Sequence, residues 1–331
     1  MTVVHWVDAA TSTATRLEDA HVPALLARDD GWLWLDAGEP DAELEVLLRE
    51  VFGLHPRAIQ DCMERNHVPR MHGYADHFFL ALHRPEKGDG GHVHYLELDQ
   101  LVGRNYLVTV HGPRNPAVPL EAMLIETGEV ARRLEAGRIH PSGPVALAAA
   151  IVSALTNAEE TAVNQLAREV GTLEQRVMEH RDDNNPQGFL DELFIARHAL
   201  MTVRTMAAQS REIIGRSIRV LKHLSPEDVQ HLDDLRDQYA RLDRITSSQL
   251  DFLHGVSDFY RARTDTRMTI AAERLAVIAA VTLPVTAISS VMGMNVIVND
   301  HTQLPWLVVL LVVMTGMSWW LLSWARRQGW W

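Results

Sequence analysis

Asn295 offers a neutral amide oxygen just where a long apolar run ends, and Gly293 removes a side chain so that backbone carbonyls can approach an axis. Those are the groups a pore needs in order to meet a cation that holds its water tightly. Thr282, Thr286 and Ser290 add oxygens deeper in the run, although in lipid such hydroxyls more often bond their own backbone. Pro284 frees the carbonyl of Ala280, equally a pore ligand or the result of a plain kink. Far from this run, His92-x-His94 would alternate two imidazoles onto one strand face, as a metal pair does. Two histidines without a third ligand read more simply as surface residues.

The elements that must position Asn295 are two apolar segments. Leu275 to Met294 and Leu304 to Trp324 contain no Asp, Glu, Lys, Arg or His, and each is close to the ~20 residues a helix needs to cross hydrocarbon. A two-pass membrane protein is expected. Residues 295–303 are too few for anything but a tight hairpin, so the crossings are antiparallel and both flanks share one side. Arg261, Arg263, Arg267 and Arg274 precede the first span, and Arg326 and Arg327 follow the second, while the loop has neither Lys nor Arg. The positive-inside rule therefore places the loop outside and both termini in the cytoplasm. The lone cysteine, Cys62, suits a reducing compartment, and MTVVHWVDAA lacks the basic and apolar regions of a signal peptide. Trp306, Trp319, Trp320, Trp324, Trp330 and Trp331 crowd the end of the chain, where indoles at the membrane boundaries would set the depth of the second helix. Two antiparallel helices cannot enclose a path, so conduction requires several copies to ring their first spans. On these residues alone, a pore and a simple membrane anchor are both open.

Upstream, residues 1–142 read as an α/β domain. Val3 to Trp6, Trp32 to Leu35, Phe78 to Leu82, Val93 to Leu98 and Tyr106 to Val110 carry strand composition, Gly103-Arg104-Asn105 supplies a turn, and Asp41 to Gly53 has helical spacing. The sheet is expected to be mixed or antiparallel. From 143 to 274 the pattern is helical: Pro144 to His180, Gln187 to Leu224, and a third helix restarted by Ser225 as N-cap, Pro226 and two acids. No proline follows until Pro284, so this helix is expected to run directly into the first span, 275–294, as a rod of roughly 100 Å. Its stripe of Val229, Leu232, Leu235, Tyr239, Leu242, Ile245, Leu253, Val256 and Phe259 suggests self-association. The loop 295–303, the second span 304–324 and a basic, aromatic tail 325–331 complete the order.

Forty-three acids against 31 bases give a net charge of -12, which disfavours a nucleic-acid partner and gathers cations, though solubility alone explains it. No Walker loop, nucleophile elbow, CxxC or HExxH occurs, so an enzyme is not expected.

Gly293-Met294-Asn295, closing a first span that carries Pro284-Val285-Thr286 in a chain with two terminal helices and a basic tail, resembles the CorA family of divalent-cation transporters. Leu54-His55-Pro56-Arg57-Ala58-Ile59-Gln60-Asp61 resembles the family's Leu-His-Pro segment ending in an acidic pair. Gly103-Arg104-Asn105-Tyr106-Leu107-Val108-Thr109-Val110-His111 resembles its strand ending in Thr-Val-His. The likeness covers essentially the whole chain.

The resemblance implies a funnel-shaped homopentamer, with an α/β domain and long stalk helices in the cytoplasm, first spans lining the pore and second spans outside them. Gly293, Met294 and Asn295 would form the selectivity filter, where neutral amides touch the water of hydrated Mg2+. Thr286 would be a second polar ring, and Leu283, Ala279 and Leu275 an apolar gate. A regulatory Mg2+ is implied between subunits, for which Asp61 is the candidate opposite Asp233, Asp234 or Asp237. The plain alternatives are a carboxylate bonded near its own helix end and a solvated acidic face. Gln60 departs from the family's first acid, and the outer loop offers only Asp300 and His301 to gather cations. Glu273, beside Arg274, would ring the inner mouth or pair with an arginine. The implied cargo is Mg2+, with Co2+ or Ni2+ beside it. The rivals are a Zn2+ transporter of the zinc branch, coupled to protons, and a membrane-anchored metal sensor that conducts nothing.

Overall fold

Among the described residues, seven strands form one sheet in the first of two units, residues 1–254. The computed structural model describes residues 2–17, 21–88, 91–179, 185–219, 221, 224–296 and 304–327. The strands are β1 (Thr2–Asp8), β2 (Ala14–Leu17), β3 (Gly31–Ala37), β4 (Arg70–Gly73), β5 (His77–Lys87), β6 (Val93–Gly103) and β7 (Tyr106–His111). Their order is β2-β1-β3-β7-β6-β5-β4, antiparallel throughout except where β3 meets β7. The mixed sheet expected from the sequence is present. β5 and β6 extend well past the expected runs because their register is unbroken from His77 opposite Gly103 to Lys87 opposite Val93. β2 and β4 were not expected; each is a four-residue edge strand with no buried residue. At the β6–β7 turn, a Cβ on Gly103 would come within 2.2 Å of the Tyr106 ring, so only glycine fits.

Helices α1 (Val22–Leu26), α2 (Ala42–Glu50) and α3 (Pro56–Met63) cover one face of the sheet. Asp41 caps α2 by accepting from the Leu44 amide at 2.7 Å, and Leu44, Leu48 and Ile59 pack with Leu33, Leu35, Phe79, Leu101 and Val108 in one core. The Leu-His-Pro segment proves to be the start of α3. Leu54 is buried, the His55 ring accepts from the Arg57 amide at 3.1 Å, and Pro56 opens the helix. Thr109 and His111, the two ends of the Thr-Val-His motif, both reach Asp36 across the parallel β3–β7 pair, at 2.6 and 3.2 Å. That motif is a clamp within the sheet.

α4 (Leu120–Met123) and α5 (Ile125–Glu135) lead to the long helices α6 (Pro144–Met178), α7 (Pro186–Ile218) and α8 (Pro226–Val296). α7 stops short of the expected Leu224. Leu221 turns aside and buries itself over Gly73, where an added Cβ would lie 2.5 Å from Leu221 Cδ2. The restart of α8 is as expected: the Asp228 amide donates to Ser225 Oγ, and Ser225 donates back to the Asp228 carboxylate.

One expectation is overturned. The stripe of α8 is not left bare by its own chain, since Leu232, Leu235, Tyr239, Leu242, Leu253 and Val256 are buried. Within the first unit α6 and α7 supply the partners: Gln238 bonds Ser153 and Thr156, and Asp243 accepts from Arg211 at 3.0 Å. Phe259, which is exposed, is the exception. The stripe therefore gives no argument for self-association.

The second unit, 255–331, holds the rest of α8 and α9 (Leu304–Arg327), and each contains a stretch long and apolar enough to cross a membrane.

Candidate functional site

At 3.6 residues per turn, Leu275, Ala279, Leu283, Thr286, Ser290 and Gly293 fall within about 80° of one another on α8. All six are exposed. The other side of the helix is shielded: Val277 is buried and Val281, Pro284, Val285 and Ile288 are half-buried. α9 carries a matching shielded stripe of Leu310, Met314, Met317, Leu321 and Ala325, while Trp306, Trp319, Trp320 and Trp324 are exposed. The described part of this unit thus consists of two apolar helices, each shielded along one side. The side of α8 left free is the one that carries the pore-lining candidates.

Thr286 Oγ1 donates to the Thr282 carbonyl and Thr282 Oγ1 to that of Ile278, both at 2.8 Å. The backbone does satisfy these hydroxyls, yet each oxygen keeps acceptor capacity for a cation or its water. The backbone of Gly293, Met294 and Asn295 lies within the last turn of α8. A Cβ on Gly293 would meet open space, so close packing is not what requires glycine here. The side chains of Met294 and Asn295 lie outside what is described, as do Asp300 and His301.

Asp61 stands on α3, its side chain 13% exposed, with Arg70 Nη1 3.3 Å from Oδ1 and His72 Nε2 3.8 Å from Oδ2. Both partners come from β4, so the carboxylate is tied to an edge strand and not to its own helix end. Oδ2 is buried, faces the His72 ring and accepts no hydrogen bond. Gln60 beside it donates to Glu64 at 3.0 Å. Asp233 and Asp237 share Arg236, at 2.6 and 3.2 Å, and Asp234 with Asp237 and Glu160 lines an open groove between α6 and α8. Each candidate acid on α8 thus has its own surroundings, apart from those of Asp61. Among the described residues of the single chain, no group of three His, Cys, Asp or Glu side chains converges to hold a metal. The rings of His92 and His94 stand 4.7 Å apart and line one open groove, His92 just before the start of β6. His94 Nδ1 is occupied by Asn115, whose Oδ1 is held by the Ala117 amide. The surface reading of this pair stands.

The sequence reading missed two acids behind α3. Glu97 and Asp99 lie on β6, and Glu97 accepts from both nitrogens of Asn66, its backbone amide and side-chain Nδ2. Burial, then the Glu97 charge, pushes the Asp99 carboxyl well up; burial raises Glu97 as well. Burial and then Asp99 likewise raise the Cys62 thiol, so this cysteine is no reactive nucleophile. Acids alternating with leucines from Leu96 to Asp99 were the available signal.

Residues 29–327 match the family described as CorA-like Mg2+ transporter protein. A Bacillus subtilis protein named metal ion transporter YfjQ is 24% identical over 330 residues, 98% of each chain. The cobalt/magnesium transport protein CorA of Thermotoga maritima is 20% identical over 286 residues, 85% of this chain and 78% of that one. Among solved structures, the complete CorA magnesium transporter from Methanocaldococcus jannaschii superposes with a TM-score of 0.80 at 15% identity, covering 100% of this chain and 98% of that chain.

Proposed function

We propose that this chain, which belongs to the family of CorA-like Mg2+ transporter proteins, assembles as a homopentamer in the cell membrane and passes Mg2+ inward down its electrochemical gradient. The family is one of divalent-cation transporters, not of enzymes. Mg2+ and Co2+ are the ions in the name of the Thermotoga relative, and Co2+ or Ni2+ would accompany Mg2+ here.

The observation that carries the reading is the free face of α8. Leu275, Ala279, Leu283 and Thr286 share a side exposed in the single chain, and an apolar pair of helices leaves that side bare for a reason. Five copies turning it inward would make a path with leucine rings that dewet when closed and a threonine ring beneath the mouth. At the mouth, Asn295 amides would offer uncharged oxygens that contact the ion's water without trapping the ion. The loop 295–303 would be outside and both termini inside, with 1–142 as the cytoplasmic α/β domain and 143–274 as its helical stalk.

For regulation, Asp61 would bind cytoplasmic Mg2+ together with Asp233, Asp234 or Asp237 of a neighbouring copy. The Oδ2 of Asp61, which accepts no hydrogen bond, supports it. Arg70 competes for the same carboxylate and Gln60 supplies no charge, so affinity would be modest. Gln60 and the loop, whose charge-bearing candidates are Asp300 and His301, also favour a second reading, a Zn2+ transporter of the zinc branch. Uptake of Mg2+, Co2+ and Zn2+ into liposomes with and without a pH gradient separates the two. Mg2+ uptake independent of the gradient supports the first, proton-dependent Zn2+ uptake the second, and no uptake of any ion leaves only an anchored sensor.

A further inference from the structure

Glu159 lies in the middle of α6 with both carboxyl oxygens buried and neither engaged in a hydrogen bond. An ionised carboxylate there would be an uncompensated charge in a low-dielectric interior, a state that proteins avoid by keeping the group neutral. The groups around it do not supply a counter-ion. From β5, Arg84 faces it, but Arg84 Nε is 2.6 Å from Glu126 Oε1 of α5, and the same guanidinium pairs with Glu86 and donates to the Ala122 carbonyl at 2.7 Å. Glu126 is itself buried and adds a second acid. From α8 comes the buried Tyr239, and from α7 Ser210 beside the Tyr239 hydroxyl. Three long helices therefore meet in one polar layer whose acid has no cation of its own.

Burial pushes the Glu159 carboxyl well above the ordinary range, against the pull of Arg84 and with the help of Glu126. Burial and then Glu159 raise the Tyr239 hydroxyl in turn.

We propose that Glu159 is a proton-dependent latch in the α6–α7–α8 bundle: as the neutral acid it lets the three helices close, and when it loses its proton the layer around Tyr239 opens. The sign follows from the raised proton affinity of the closed state. The latch is fully held below the ordinary carboxylate value of 4.5 and is progressively released as pH rises above it. Inside that window each pH unit shifts the ratio of closed to open by up to about tenfold. The inference stands whether or not the chain conducts ions, although α8 is also the helix that carries the candidate path.

Hydrogen exchange of the full-length protein in lipid nanodiscs from pH 5 to 9, corrected for the intrinsic rate, tests this. Peptides covering 153–165 and 235–246 should lose protection with rising pH in the wild type relative to peptides from β6 and β7. In Glu159→Gln, which has the same size and no charge, protection should be constant. Equal pH slopes in the two proteins overturn the latch, and so does a wild type whose protection in these peptides is flat. Should Glu159→Gln fail to assemble, Glu159→Met enters the same comparison with the same two outcomes.

Discussion

Leu283 and Val277, six positions apart on one helix, lie about 120° apart around it and differ in exposure: Leu283 is 67% exposed and Val277 2%. Their roles should separate accordingly. Leu283→Ala should leave assembly intact and raise the resting leak of Mg2+, because a smaller side chain weakens the dewetting barrier. Val277→Ala should instead lower the thermal stability of the protein while the flux per assembled channel changes little. Leak currents and melting curves on both variants check the pair, and a leak caused by Val277→Ala alone would reverse the assignment of faces.

The orientation is tested by labelling. Cys62 is wholly buried against the Asp99 carboxyl, so the cysteine-free background should be Cys62→Ala, which adds no polar group to that site. In this background Asp300→Cys should react with an impermeant thiol reagent in intact cells, and Ser225→Cys should not. The opposite pattern places the termini outside.

Loss of the Asp61 carboxylate should weaken regulation without harming the fold. Asp61→Ala frees Arg70 and His72, both partly solvated, and removes an Oδ2 that accepts no hydrogen bond. Millimolar Mg2+ should protect wild-type α8 from protease and protect this variant less, because a ligand stabilises only the state it binds. If both are protected at the same Mg2+ concentration, the regulatory site lies elsewhere.

Asp36 predicts an acid limit to stability. Burial works to raise its carboxyl and is outweighed by the hydrogen bonds from His111 and Thr109, so in the folded chain it sits below the ordinary 3.8. A depressed carboxylate contributes stability above the unfolded value, lost as pH falls from 3.8 through the lower folded value. Asp36→Asn should cost about 1–3 kcal/mol near neutral pH and flatten the acid end of the unfolding curve. An unchanged acid transition would show that the clamp is not a source of stability.

The long elements were legible because periodicity and capping signals agree over many residues. Ser225-Pro226-Glu227-Asp228 announced α8, and the absence of proline up to Pro284 announced its length. β2 and β4 were illegible because four mixed residues on a sheet edge carry no alternation, and their pairing is decided by the neighbouring strand. The cover over Leu232 to Val256 was illegible for a different reason. A stripe reports that something packs on it, and not whether the partner is α6 and α7 or a second copy. Gly293 and Thr286 were found by motif, and the structure adds the side of the helix on which each lies. The Glu159 layer was hidden because one glutamate in a helix pattern looks solvated until three helices close around it.

Selectivity should follow ligand chemistry. Neutral oxygens at Asn295 and Thr286, with no Cys or His in either span, favour a hard, hydrated ion over Zn2+. His301→Ala should leave Mg2+ flux nearly unchanged, and cobalt hexammine, which cannot shed its ligands, should block from outside. Abolished transport in His301→Ala, or ready passage of Zn2+ with none of Mg2+, would favour the zinc branch.

Mg2+ influx into liposomes containing Asn295→Ala, with the oligomer's mass measured in the same preparation, tests the proposed path most directly. The substitution deletes an amide at the mouth and leaves the shielded side of α8 untouched, so most of the influx should vanish while the mass stays that of the wild-type assembly. Wild-type influx through an intact Asn295→Ala assembly would contradict it.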